Sequence, residues 1–305
     1  MKVLITGATG LIGKEIVKQS LSKNYSVHFL TSSMHKLNHL ENCKGFYWNP
    51  AKGEIDITCF NGVTSIINLA GSPVSSRWTT KNKKQILESR LHSLATLFKG
   101  LQQVDNSMIE SFVSASAIGV YPSSETNVYK EDETMVEDNF LGEVVKEWEK
   151  SINTFDVFNF TVAKIRIGIV LSKNGGALSE LKKPIDYYVG AAFGNGKQWQ
   201  SWIHVKDLAA IFLFVAKNNL KGIYNGVGPN PVSNSKLVSE IAKVAKKPLF
   251  LPNIPKMMMY LILGEMANLL FTSQNVSSKK IEQEGFVFQF QTISLALEDM
   301  YLSKN

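Results

Sequence analysis

Three glycines near the start of the chain restrict its fold more than any other feature. Gly7, Gly10 and Gly13 recur every three residues in the run Gly7-Ala8-Thr9-Gly10-Leu11-Ile12-Gly13. The run follows a short apolar stretch, residues 3–6, and opens a segment with helical apolar spacing, residues 11–22. In a strand-turn-helix of this kind each glycine has a physical task. The first permits a tight turn, the second lets the backbone approach a pyrophosphate, and the third lets helix and strand pack closely. The helix N-terminus then offers free N–H groups and the positive end of its dipole to phosphate. A bound dinucleotide is therefore expected, with Gly7, Thr9, Gly10, Leu11, Ile12 and Gly13 around its phosphates. A tight turn with no ligand is the plainer alternative.

The rest of the first half supplies the setting such a turn needs. Residues 27–31, 45–48, 65–70, 111–116 and 162–171 read as strands, and residues 65–70 form the continuous apolar run of a strand buried on both faces. Between them, residues 79–103 carry Ile86, Leu87, Leu91, Leu94, Leu97, Phe98 and Leu101 at three- and four-residue steps, which predicts a helix. A Ser-, Glu- and Asp-rich loop is expected over residues 121–138, then a helix with Phe140, Leu141, Val144, Val145, Trp148 and Ile152 on one stripe. Alternation of this sort predicts an α/β fold, a Rossmann-type doubly wound parallel sheet. Beyond Leu171 the pattern loosens into a smaller helix-rich C-terminal substrate lobe, with helices near Lys206, Ser233, Pro255 and Asn275. We expect residues 1–171 to form the nucleotide-binding domain, joined by a strand near 222–227, and residues 172–305 to form mainly the lobe.

Composition narrows the partners. At 305 residues and 44% hydrophobic, the chain is long and apolar enough for a full globular core. The net charge of +7 comes from scattered lysines, best read as a solvated surface, and no nucleic-acid motif accompanies it. The greasiest stretch, residues 257–271, is broken by Gly264 and Glu265 and is too short to span a bilayer. Two cysteines and no visible secretory leader predict a reduced, cytoplasmic setting. The expected partner is a small-molecule substrate, with neither nucleic acid nor membrane, and the protein itself a monomer or homodimer.

The end of the second strand bears on which dinucleotide is held. NAD-binding versions place an acid there, on the adenosine ribose. Here the place reads Leu30-Thr31-Ser32-Ser33, with His35 and Lys36 just beyond to face a 2′-phosphate. NADP is the expectation, with NAD the alternative.

Longer motifs carry a family resemblance. Thr6-Gly7-Ala8-Thr9-Gly10-Leu11-Ile12-Gly13 and Asn68-Leu69-Ala70-Gly71 resemble the extended short-chain dehydrogenase/reductases, the sugar-nucleotide epimerase/dehydratase group. Arg77-Trp78-Thr79, Ser114-Ala115-Ser116-Ala117-Ile118-Gly119-Val120-Tyr121 and the run from Gly194 through Lys197, Trp199 and Trp202 to His204 look like one atypical branch of it. That branch is the "epimerase family protein" group, with its own C-terminal domain of unknown function. The resemblance covers the whole chain. It implies a seven-stranded parallel sheet, Asn68, Leu69, Ala70 and Gly71 beside the adenine and ribose, and the strand end at Ser114 and Ser116 near the nicotinamide.

One part of the family pattern is missing. Extended reductases use a tyrosine with a lysine four positions on, the lysine lowering the tyrosine pKa for proton transfer. None of the nine tyrosines here has that lysine. The tyrosine position falls at Phe140 or Leu141, and the lysine position at Val144 or Val145. Remaining catalytic candidates are Ser116, Tyr121, Glu143 and Lys146, against plainer readings as a sheet-end serine, a packing tyrosine and a solvated helix face. Arg166 on the sixth strand should meet a carboxylate or a ligand phosphate, because burying it unpaired is costly. Lys197, Trp199, Trp202 and His204 form the densest polar–aromatic cluster and are the candidate substrate contacts, with lobe packing as the alternative. His35 and His39, spaced i, i+4, lack a strong ligand set, so no metal is expected. Without the tyrosine–lysine pair, an enzyme competes with a non-catalytic dinucleotide-binding regulator.

Overall fold

The computed structural model describes residues 1–301. The chain runs β1 (Lys2–Thr6), α1 (Leu11–Ser22), β2 (Ser26–Thr31), β3 (Cys43–Asn49) and the short β4 (Glu54–Ile55). It continues through β5 (Ser65–Asn68), α2 (Thr80–Leu101), β6 (Ser111–Ala117), β7 (Val128–Tyr129), α3 (Phe140–Asn153) and β8 (Thr161–Ile167). Then come β9 (Ile169–Ser172), β10 (Gly175–Gly176), α4 (Ala177–Asp186), β11 (Trp199–Gln200), β12 (Trp202–His204), α5 (Val205–Lys217) and β13 (Gly222–Gly226). The last elements are β14 (Val232–Ser233), α6 (Asn234–Ala245), α7 (Lys256–Leu263), α8 (Asn268–Phe271), β15 (Asn275–Val276), α9 (Lys279–Gln283) and α10 (Ile293–Tyr301).

The central sheet has the order β13-β8-β6-β5-β1-β2-β3-β4. Seven of its strands are parallel, and only β4 turns back antiparallel on β3. Apolar runs explain its centre: Val3, Leu4, Ile5, Ile66 and Ile67 are wholly buried, as strands covered on both faces must be. From β1 the chain winds outward to β4, then crosses back to β5 on the other side of β1. Right-handed crossovers in opposite directions put α1 and α5 together on one face and α2 and α3 on the other. The fold is the expected doubly wound α/β sheet.

Two sequence expectations need correction. Residues 162–171 are not one strand. The chain breaks at Gly168, where a Cβ would strike the Ser201 carbonyl oxygen and lie 2.8 Å from Val227 Cγ1. β8 stays in the central sheet while β9 joins a second sheet, β10-β9-β12. Nor does a helix start near Asn275. That segment is β15, paired in parallel with β7, and helix resumes only at Lys279. The second lobe has its own core of Leu171, Leu178, Ile185, Trp202, Leu237 and Ile241 with side chains of α10. Among the described residues no helix is long and apolar enough to cross a membrane.

Candidate dinucleotide site

The crevice lies where strand order reverses, between the C-terminal ends of β1 and β5, as ligand sites in open α/β sheets do. Gly7 has φ +68° and its carbonyl accepts from the Gly10 N–H at 2.9 Å, closing the turn. Gly13 faces backbone: a Cβ there would sit against the Gly7 carbonyl oxygen and 2.7 Å from Ala8 Cα. No side chain caps the N-terminus of α1, leaving its first N–H groups to the crevice. Thr9, Leu11 and Ile12 are half-buried around this mouth.

A hydrogen-bonded node ties the neighbouring strand ends together. Thr6 Oγ1 donates to Asn68 Oδ1 at 2.8 Å and accepts from the N–H groups of Leu69 and Ala70. Asn68 Nδ2 donates in turn to Ser114 Oγ at 3.0 Å on β6. Leu69 and Gly7 are in contact distance, since a Cβ on Gly7 would meet the Leu69 carbonyl oxygen at 3.1 Å. Thus Gly7, Asn68, Leu69, Ala70 and Ser114 share one crevice edge, and Gly71 continues it. At the far end of β2, Thr31 is buried and its Oγ1 accepts from the Ser33 N–H. Ser32, His35 and Lys36 are exposed on the short turn that follows, where no acid stands.

Residues 3–141 match the NAD dependent epimerase/dehydratase family, and residues 254–300 match a domain of unknown function, DUF1731. An Arabidopsis thaliana protein, "Epimerase family protein SDR39U1 homolog, chloroplastic", is 35% identical over 97% of this chain and 86% of its own length. This chain belongs to the NAD dependent epimerase/dehydratase family. An epimerase family protein of Staphylococcus aureus is 33% identical over 97% of this chain and 98% of its own. The crystal structure of human epimerase family protein SDR39U1 with NADPH superposes with a TM-score of 0.86, covering 100% of both chains at 24% identity. Because one relative is chloroplastic, family membership does not fix the compartment.

Ser116, Glu143 and Lys146 stand on the strand end and helix that the sequence indicated, and their contacts differ. Ser116 is buried, and its hydroxyl donates to Glu149 Oε1 at 2.6 Å. Glu149 also takes a two-pronged contact from Arg166, Nε to Oε1 at 2.8 Å and Nη2 to Oε2 at 2.9 Å. Arg166 Nη1 donates to Tyr121 Oη at 3.0 Å, and that hydroxyl donates to Asn225 Oδ1 at 2.8 Å. Of the two partners expected for Arg166, the carboxylate is the one present, so Arg166 does not stand free for a phosphate. Tyr121 is no loop phenol. It is fully buried against Tyr129, and burial pushes its pKa up to about 12, the nearby Arg166 charge only partly opposing this. Both hydroxyls are buried and hydrogen-bonded within this network.

Glu143 and Lys146 are exposed on the outer face of α3 and are not brought to the crevice. The stripe that would carry tyrosine and lysine is apolar instead, with Phe140 and Leu141 half-buried and Val144 buried. Phe140, Leu141 and Val144 pack with Trp78, Ile86, Met266 and Leu269, the last two from the DUF1731 segment. Val145 packs with Ile118, Val120 and Tyr121.

The four candidate substrate contacts are also dispersed. Trp202 is wholly buried in the second core, its Nε1 donating to the Asn230 carbonyl. Trp199 Nε1 donates to the Glu125 carbonyl, and Lys197 is exposed. His204 caps α5, Nδ1 accepting from the Lys206 N–H at 3.0 Å, with its ring stacked 3.9 Å from Phe290. Its Nε2 lies 3.2 Å from Asp299 Oδ2. Asp207, one turn on, accepts from the N–H groups of Gln289 and Phe290. These groups fasten the C-terminal segment to α5; they do not line the crevice.

Burial lowers the His204 pKa to about 4, despite the opposing pull of Asp299. A histidine whose folded pKa lies below its ordinary 6.5 stabilises the protein above that value and loses its contribution as pH falls toward about 4. In His204→Asn, which keeps a capping oxygen, the thermal midpoint should fall less steeply between pH 6.5 and 4 than in wild type; equal slopes would exclude His204 as a source of the acid sensitivity.

One buried charge beside this edge was missed. Arg90, on α2, is buried beside Gly71. The sequence did hold a signal: an arginine four residues after Ile86 and four before Leu94, in core register on an apolar stripe.

Proposed function

We propose that this protein binds NADP(H) and acts as an oxidoreductase or epimerase-like enzyme on a small polar substrate, without a tyrosine–lysine pair. The switch-point crevice carries the reading: a glycine turn, an uncapped helix N-terminus and the Asn68 edge converge there. Gly7, Thr9, Gly10, Leu11, Ile12 and Gly13 would hold the pyrophosphate, and Asn68 to Gly71 with Ser114 would flank the nucleoside. The bound nicotinamide supplies a hydride donor or acceptor. Thr31, Ser32 and Lys36 would face the adenosine ribose, and the lack of an acid there supports NADP(H) over NAD(H). The NADPH in the human relative's crystal accords with this.

Titration of the purified protein, followed by nicotinamide fluorescence, should give tighter binding of NADPH than of NADH. Lys36→Ala should weaken NADPH by about 1 kcal/mol, roughly fivefold, and leave NADH unchanged, as befits one exposed charge pair. Failure to bind either cofactor at millimolar concentration would sink the reading.

A second reading is supported by the apolar α3 stripe and the hydrogen-bonded, buried hydroxyls of Ser116 and Tyr121: a non-catalytic, NADP(H)-binding regulator. Any metabolite fraction that changes the absorbance of the bound reduced cofactor would exclude it. The compartment proposed is the cytoplasm.

A further inference from the structure

A buried cation with no carboxylate stands at the edge of the crevice. Arg90 is 8% exposed. Its Nη1 donates to the carbonyl oxygens of Ser72 at 3.1 Å and Ile86 at 2.7 Å, and its guanidinium lies 4.8 Å from the Trp148 ring centroid. Nε has no partner. Among the described residues no acid pairs with it, in contrast to Arg166, whose fork is filled by Glu149. Burial alone acts on its pKa, lowering it to about 10. A planar guanidinium fork suits the paired oxygens of phosphate or carboxylate, and leaving it buried without an anion is unfavourable.

Its position points to the source of that anion. A Cβ on Gly71 would meet Arg90 Cγ and Cζ at 3.2 Å and Nη1 at 3.3 Å, so the guanidinium lies along Gly71. Gly71 is two residues beyond Leu69, whose carbonyl flanks Gly7 in the glycine turn. The fork therefore borders the crevice on the side facing α3, whose Trp148 supports it.

We propose that Arg90 is an anion-binding residue of this crevice and receives a phosphate or carboxylate oxygen of the bound ligand. The proposal rests on the dinucleotide reading for the identity of the crevice. Two sources share this chemistry: the cofactor's own pyrophosphate, or an anionic group on the substrate beside it.

The experiment compares wild type, R90M and R90K. NADPH is titrated into each protein by fluorescence, and inorganic pyrophosphate is then titrated calorimetrically into the NADPH-loaded protein. R90M, folded by its ligand-free thermal midpoint, should lose roughly tenfold or more for one ligand, as expected when a charge-assisted fork is removed. Loss on NADPH assigns the fork to the cofactor; loss on pyrophosphate assigns it to a substrate anion. Wild-type affinity of R90M for both would overturn the proposal. If R90M does not fold, R90K decides, because it keeps the charge and loses the fork: a threefold or greater loss supports the proposal and none overturns it. If wild type binds no NADPH, the dinucleotide reading fails separately. Pyrophosphate titrated into ligand-free wild type and R90M still tests Arg90, with a tenfold loss supporting it and equal or absent binding overturning it.

Discussion

Replacing Glu149 with alanine should destabilise the protein by about 3–5 kcal/mol, because it leaves the buried Arg166 without its counter-charge. In a protein of this size that is a fall of roughly 10 °C in Tm. Ser116 Oγ would lose its acceptor as well, while Tyr121 Oη would remain hydrogen-bonded to Arg166. Removing both charges with a Glu149→Leu, Arg166→Met double variant should cost less than Glu149→Ala alone, since no buried charge is then stranded. The pH dependence has a definite sign. Burial pushes the Glu149 carboxyl up, but the hydrogen bonds and charge of Arg166, helped by Ser116, outweigh it and hold the pKa below its ordinary 4.5. The stabilisation is thus complete above pH 4.5 and disappears as pH falls through the lowered value. Urea unfolding across acidic pH should show this loss in wild type and not in Glu149→Gln. A double variant less stable than Glu149→Ala would contradict the stranded-charge account.

The same network shows why the fold was legible in the sequence and much of the site was not. Strands and helices announce themselves by local period, and the glycine turn by local spacing, so β1, α1 and the parallel sheet could be read directly. Arg166 was recognisable as an arginine needing a partner, but Glu149 sits on a different element, and nothing in the sequence pairs them. Tyr121 opens a polar, acidic segment that reads as loop. It is buried because β7 within that segment pairs with β15, far along the chain, and Gln274 Nε2 donates to the Ile118 carbonyl. The residues around Trp202 and His204 mix aromatic faces with polar groups, a composition shared by ligand pockets and by packed lobe interfaces. Satisfied indole and capping imidazole groups place them in the second class. Arg90 was hidden for the opposite reason: its helix is marked by a regular apolar stripe, and one charged residue within that stripe leaves the period unchanged.

Gly13→Val should be the most damaging change in the glycine turn, and Gly10→Ala the most informative. At Gly13 a new Cβ meets only backbone: the Gly7 carbonyl, Ala8 Cα at 2.7 Å and the Ala8 carbonyl carbon at 2.9 Å. No rotamer change relieves that, so α1 must shift away from the turn and disturb Ile16 and Val17, both buried. Overpacking of this kind costs about 1–3 kcal/mol for alanine, and valine should exceed it. The displaced helix N-terminus should also lose NADPH binding altogether. At Gly10 a Cβ would lie 3.2 Å from the Gly7 carbonyl oxygen, a tight contact that a shift of a few tenths of an ångström relieves, so alanine disturbs the fold far less than at Gly13. If the turn exists to let backbone approach a pyrophosphate, Gly10→Ala should lose far less thermal stability than Gly13→Val yet bind NADPH at least roughly tenfold more weakly than wild type. Unchanged affinity in Gly10→Ala would mean that these glycines serve the packing of β1 on α1 alone, and the assignment of the pyrophosphate to this turn would have to be abandoned.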